Sequence, residues 1–120
     1  MINQLEVKAF VEHCCEQLGI TGETVNLKLV FGSGEELRSA GGFDPSTLTI
    51  TVQCKNRAVA DIYRTIAHEL THMKQLVVDK VNFPEDDEGL QPLEDEANVH
   101  AARIVRFFGR ENPSIYADLA

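Results

Sequence analysis

The sequence has 120 residues, of which 43% are hydrophobic and 25% are charged. These values exclude a disordered chain and predict one domain over residues 1–120 with a single hydrophobic core. The formal net charge of -8 disfavours binding to nucleic acids or anionic membranes, because like charges repel. The N-terminal residues lack the basic cluster and apolar run of a secretory signal, and no stretch has the length of a membrane span, so we expect a cytoplasmic protein.

The first predicted element is a helix over residues 3–18, where apolar side chains recur on one face and Gly19 follows as a stop. Two of the three cysteines, Cys14 and Cys15, lie in this helix, and Cys54 is distant in sequence. Adjacent helical side chains point about 100° apart, so the cysteines do not suggest a disulfide framework. We expect reduced thiols.

A small sheet is predicted next. Residues 24–32 alternate between apolar and polar side chains, which is typical of a strand. Residues 37–52 predict two further strands around an Asp-Pro-Ser-Thr turn. We expect residues 38–43 to form an exposed edge strand, where Gly41 and Gly42 let a substrate backbone approach and pair as an added strand.

Helical periodicity returns at about Arg57 and continues to Val77 as an apolar stripe. Residues 79–92 contain two prolines, a glycine and a dense acidic cluster, which predict a loop. A last helix is predicted from about Leu93 to Gly109, and the tail after it has no clear pattern. The fold class is therefore α+β, with a three-stranded sheet packed against an N-terminal, a central and a C-terminal helix.

The central helix carries the stretch IAHELTH, which contains His68, Glu69 and His72. On a helix, positions 68 and 72 differ by about 40° in angle and one turn in height, so both imidazoles can reach one metal ion. Position 69 lies about 60° from position 72, near enough for its carboxylate to hydrogen-bond a water molecule on that ion without being a ligand. This spacing predicts a zinc site with Glu69 as general base.

Two imidazoles hold zinc poorly, so a third protein ligand is expected downstream. The sequence offers the acids at 85–88 and those at 94–96. Glu94 and Glu96 point about 200° apart on a helix, so at most one of them faces the metal. We favour Glu96, because it shares a side with His100 and because the small Ala97 beside it permits close helix packing.

The segment HELTH followed by EDEANVHAARIV resembles the ImmA/IrrE-type metallopeptidases, over roughly residues 28–108. The resemblance implies a minimal, gluzincin-like zinc endopeptidase with His68, His72 and Glu96 as ligands and Glu69 as the general base. It also implies a protein substrate, such as a DNA-binding repressor. The sequence departs from the family pattern at His100, where that pattern has a bulky apolar residue. In thermolysin-like enzymes an acid one turn after the glutamate ligand orients a histidine ligand, and after Glu96 that position holds His100.

Several alternatives stay open at this stage. His100 is either a core-edge histidine bonded to a carbonyl or a residue that orients a ligand or stabilises the transition state. Tyr116 is either an ordinary rim aromatic or the donor that an oxyanion requires. The same zinc site could also belong to a non-catalytic interaction module, for example a phage or mobile-element regulator that binds a host factor without cutting it. The oligomeric state is not indicated by the sequence.

Overall fold

The computed structural model describes residues 2–32 and 40–119 of the chain. It confirms the α+β class, with three α-helices, three strands and a short 3-10 helix among these residues. The elements follow the order α1 (Gln4–Leu18), β1 (Asn26–Val30), β2 (Gly41–Asp44), β3 (Thr49–Gln53), α2 (Val59–Val77), α3 (Asp87–Glu111) and the 3-10 helix (Pro113–Tyr116). Each α-helix in this part of the chain is too short or too polar to span a membrane.

The sheet has the order β1-β3-β2, with β1 parallel and β2 antiparallel to the central strand β3. The turn between β2 and β3 is the predicted one, and Asp44 stabilises it by accepting hydrogen bonds from the backbone N–H and hydroxyl of Ser46. Ile50 and Val52 of β3 are buried and alternate with half-buried residues, so one face of the sheet packs on the core. The predicted strand residues 37–39 lie outside the described part of the chain.

Helix α1 matches its prediction closely. Asn3 caps its N-terminus by accepting a hydrogen bond from the backbone N–H of Glu6, and Gly19 ends it in the left-handed conformation with φ 73°. Phe10 stacks on Tyr63 of α2 with ring centroids 4.5 Å apart, which fixes α1 against the central helix. The cysteines at 14, 15 and 54 are free thiols, as expected.

The prediction that residues 79–92 form a loop is wrong for its second half, because α3 begins at Asp87 and not near Leu93. Asp86 caps the helix by accepting a hydrogen bond from the backbone N–H of Gly89. The acidic side chains after this cap lie in the first turn, where the helix dipole favours negative charge. Pro92 lies inside the helix, and its missing N–H removes only a bond to the first turn.

Helices α2 and α3 pack side by side and bring the two halves of the candidate site together. Ala97 and Ala101 are fully or almost fully buried, and their small side chains allow the helices to approach closely. The C-terminal tail returns to the start of α2, where the backbone N–H of Val59 donates to the carbonyl of Asp118. The tail therefore holds the N-terminal end of α2, and the contact between the helices holds α2 against α3.

Candidate metal centre

Helix α2 presents the two motif histidines at the edge of its buried face. Its apolar stripe holds the helix against the core through Ile62, Ile66, Leu70 and Met73, which are fully buried. His68 and His72 keep 20% and 12% of their side chains exposed, and their Nε2 atoms lie 3.2 Å apart. The one-turn spacing thus brings both imidazoles to one point, as predicted.

Helix α3 supplies the third member of the cluster, Glu94. One of its carboxylate oxygens lies 3.2 Å from His68 Nε2 and the other lies 2.8 Å from His72 Nε2. The ligand atoms offered by His68, His72 and Glu94 all lie within 4.8 Å of one another. Two imidazoles and a carboxylate that converge in this way can hold a metal ion.

The structure places Glu94, and not the predicted Glu96, beside the two histidines. The Glu96 carboxylate accepts hydrogen bonds from Gln75 Nε2 at 2.8 Å and from Lys74 Nζ at 3.2 Å, and it is not part of the cluster. The reason is the rotation of α3 about its axis. Ala97 faces α2. Around the axis of α3, position 94 lies about 60° to one side of Ala97 and position 96 lies about 100° to the other side, so the two acids lie on opposite sides of the contact between the helices. The cluster lies on the side of Glu94.

Glu69 is buried beside the cluster and outside it. Its carboxylate oxygen lies 4.0 Å from His68 Nε2, and the residue is 8% exposed. Burial raises the pKa of Glu69 from 4.5 to about 7, an effect that His72 opposes and the nearby Glu94 reinforces. A carboxylate with a pKa in this range can accept a proton near neutral pH and release it again.

The two histidines of the cluster have polar neighbours, Gln75 and Asn98, that the sequence analysis did not identify. Gln75 is fully buried, and its Oε1 lies 2.8 Å from His72 Nδ1. Burial and then His72 lower the pKa of His68, while Glu94 and a side-chain hydrogen bond with Asn98 oppose the shift. A lowered pKa favours the neutral imidazole that a metal ion requires. Helical spacing could have indicated both neighbours, because Gln75 follows His72 by three residues and Asn98 follows Glu94 by four.

Two further candidates from the sequence, His100 and Tyr116, do not line the cleft around the cluster. His100 Nε2 lies 3.8 Å from Glu96 and contributes to a small separate pocket with Arg103 and Phe107. The Tyr116 hydroxyl lies 3.5 Å from the carbonyl oxygen of Val105, near the C-terminal end of α3. The structure therefore does not bring Tyr116 to the site. With Glu94 in the cluster, the position one turn on is that of Asn98 and not that of His100.

The cluster lies in a cleft of about 570 Å³. Helix α2 forms the floor, the segment around β2 forms one wall, and the start of α3 with the preceding loop forms the other. Both walls contribute apolar side chains to the lining, namely Phe43, Pro45, Phe83 and Leu90. The cleft thus combines a polar floor with apolar walls.

The wall at β2 depends on Gly41. A Cβ atom at this position would lie 2.5 Å from Thr65 Cγ2 and 3.0 Å from the carbonyl oxygen of Thr51. It would also lie 3.7 Å from Cγ of Glu69. Gly41 therefore allows strand β2 to pack directly against helix α2 beside Glu69. The sequence analysis had instead expected this glycine to let a substrate backbone approach.

No protein-family model, curated protein or solved structure matches the chain, so known proteins provide no further evidence on the site. The resemblance to the ImmA/IrrE-type metallopeptidases therefore rests on the two sequence motifs alone. The case for a metal site rests on the arrangement of His68, His72 and Glu94.

Proposed function

We propose that the chain is a zinc-dependent peptidase in which His68, His72 and Glu94 hold the ion and Glu69 is the general base. One observation carries the proposal: two imidazole nitrogens and a carboxylate converge, while a second carboxylate is buried next to them without joining them. Three protein ligands with a free base beside them is the composition of a hydrolytic zinc site, whereas a structural site has four protein ligands.

The spacing of the ligand atoms supports zinc. Zinc bonds of about 2.0–2.1 Å in tetrahedral geometry separate neighbouring ligand atoms by about 3.3 Å. The two histidine Nε2 atoms lie 3.2 Å apart, close to this value. Each of them approaches a different oxygen of Glu94, at 3.2 Å for His68 and 2.8 Å for His72, and the Glu94 side chain is 44% exposed, so it has room to adjust.

The chemistry follows from the roles of the side chains. Zinc held by these residues would polarise a scissile carbonyl and lower the pKa of a bound water molecule. Glu69 would then accept a proton from the attacking water and deliver it to the leaving amine. Burial supports this role, because it raises the pKa of Glu69 and so makes the carboxylate a better proton acceptor.

A peptide is the substrate class that the cleft favours. Strand β2 and the turn after it line one side of the cleft, where Phe43 and Pro45 offer apolar contacts to the side chains of an extended peptide. Phe83 and Leu90 on the opposite wall offer apolar contacts to its side chains. A regulatory DNA-binding protein is the particular substrate that the resemblance to the ImmA/IrrE-type enzymes suggests.

The experiment that tests this proposal is a cleavage screen on a proteome. Purified chain is loaded with one equivalent of zinc and incubated with a bacterial lysate, and new N-termini are identified by mass spectrometry. We expect new termini with the wild type and none with His72→Ala, which should also lose the metal. If the wild type binds zinc and yields no new termini in any lysate, the non-catalytic zinc-binding module becomes the better account.

A further inference from the structure

The buried side chain of Gln75 connects the two helices that carry the candidate ligands. Its Oε1 lies 2.8 Å from Nδ1 of His72 on the same helix. Its Nε2 donates to the carbonyl oxygen of Leu93 at 2.9 Å and to the Glu96 carboxylate at 2.8 Å, both on α3. Gln75 is fully buried, so these three partners account for its fixed position.

The partners also determine which way the amide points. A carbonyl and a carboxylate accept hydrogen bonds, so both must face the NH₂ group of Gln75. The reversed amide would place its oxygen against two acceptors and its NH₂ group against His72. Lys74 holds Glu96 in place from the other side, with Nζ 3.2 Å from the carboxylate. The oxygen of Gln75 therefore faces the imidazole.

This orientation has a consequence for the imidazole. An amide oxygen can only accept, so Nδ1 of His72 must carry the hydrogen of the bond that joins them. In the neutral ring the lone pair is then on Nε2, the atom that points towards His68 and Glu94. Nε2 is the atom that a metal ion in the cluster would bind.

We propose that Gln75, held by Glu96 and the Leu93 carbonyl, is a positioning residue that fixes the tautomer and ring orientation of His72. The inference rests on the proposed metal site and extends it. It assigns Glu96 the role of holding the Gln75 amide. It also means that Gln75 links His72 to the turn of α3 next to Glu94. Partners of this kind typically change metal affinity 10- to 100-fold when they are removed.

The first test reads the tautomer directly and needs no metal or substrate. In the zinc-free protein the Glu94 carboxylate, 2.8 Å from Nε2, competes with Gln75 for the hydrogen of His72, so the test uses the Glu94→Ala background. Nitrogen-15 NMR of the neutral His72 ring in Glu94→Ala should show the hydrogen on Nδ1. When Gln75→Met, which keeps the length of the side chain and removes the amide, is added to this background, the share of the Nε2–H tautomer should rise. A neutral His72 with its hydrogen on Nε2 in Glu94→Ala would overturn the inference.

The second test measures zinc affinity by competition with a chromophoric chelator. Gln75→Met should weaken zinc binding 10- to 100-fold. Gln91→Met is the matched control, because Gln91 is exposed and bonds only to Asp95 among the described contacts. It should bind zinc like the wild type. Equal affinities of two folded variants, Gln75→Met and Gln91→Met, would contradict the proposal.

A third variant keeps the proposal testable if Gln75→Met does not fold. Glu96 has a 35% exposed side chain, so Glu96→Ala leaves the core intact. It removes one of the two acceptors that orient the amide, and we expect a severalfold loss of zinc affinity and, in the zinc-free Glu94→Ala background, a mixture of His72 tautomers. A single Nδ1–H tautomer and unchanged affinity in Glu96→Ala would refute the role of Glu96. Failure of the wild type to bind zinc would instead refute the proposed function and leave the tautomer result standing.

Discussion

The contact between Gly41 and helix α2 predicts a specific sensitivity to one added methyl group. In Gly41→Ala the new Cβ would lie 2.5 Å from Thr65 Cγ2, whereas carbon atoms in contact are about 3.5–4.0 Å apart. Thr65 cannot turn away without cost, because its hydroxyl accepts a hydrogen bond from Arg57 at 2.7 Å and donates one to the Asp61 carbonyl at 3.1 Å. Strand and helix must therefore separate by about 1 Å, or these bonds must break.

The size of the effect follows from this geometry. Overpacking of this kind costs about 1–3 kcal/mol in the free energy of unfolding. At about 4 °C per kcal/mol for a domain of this size, Tm should fall by roughly 4–12 °C. Because the new methyl group also lies 3.7 Å from Cγ of Glu69, we expect turnover to fall as well.

Gly42→Ala is the matched control for this prediction. Among the described residues, no atom lies within 4 Å of a Cβ placed at Gly42, so this variant should be as stable as the wild type or slightly more stable. Thermal unfolding of both variants without zinc measures the difference. If Gly41→Ala unfolds at the same temperature as Gly42→Ala, the strand is not packed against the helix as described.

Three further predictions concern the site. Because the folded-state pKa of Glu69 is raised from 4.5 to about 7, the zinc-free protein should lose about 3 kcal/mol of stability as pH rises through this window, and urea titrations should show that Glu69→Gln removes the dependence. Glu94→Gln should lose zinc while Glu96→Gln, which keeps an acceptor oxygen, retains it in a chelator assay; the opposite pattern would restore Glu96 as the ligand. Phe83→Ala should lower kcat/KM about tenfold for substrates with a large apolar residue at the cleaved bond, whereas Phe107→Ala, outside the cleft, should leave it unchanged.

The sequence predicted correctly those features that are determined by residues close together in the chain. The glycine after α1 marks the end of that helix, as predicted. The apolar stripe of α2 fixes which face is buried, and the motif spacing then brings His68 and His72 together. These features depend on residues within one or two turns of each other, so the sequence alone determines them.

The start of α3 was mispredicted because its residue types occur both in loops and at the N-termini of helices. Acids, glycine and proline are frequent in loops, but an Asp cap followed by acids in the first turn also begins a helix. Here Asp86 caps the helix and Asp87 and Glu88 follow it, so the acidic cluster lies at a helix N-terminus. Nothing in the local pattern decides between these uses.

The third member of the cluster could not be chosen from the sequence because it depends on the packing of two helices. Periodicity shows that Glu94 and Glu96 face different ways, but the rotation of α3 against α2 decides which one meets the histidines. The burial of Gln75 has the same origin, since its amide partners on α3 follow it by about twenty residues. The order of the strands in the sheet is likewise a tertiary property.

The most direct test of the proposed peptidase is the comparison of wild type with Glu69→Gln in zinc content and turnover on a substrate found in the proteome screen. Gln keeps the size of the side chain and removes the base, and a positioned general base typically contributes about 10²- to 10⁴-fold to the rate. We predict that Glu69→Gln binds one equivalent of zinc, like the wild type, and cleaves at least a hundredfold more slowly. Unchanged cleavage by zinc-loaded Glu69→Gln would contradict the mechanism.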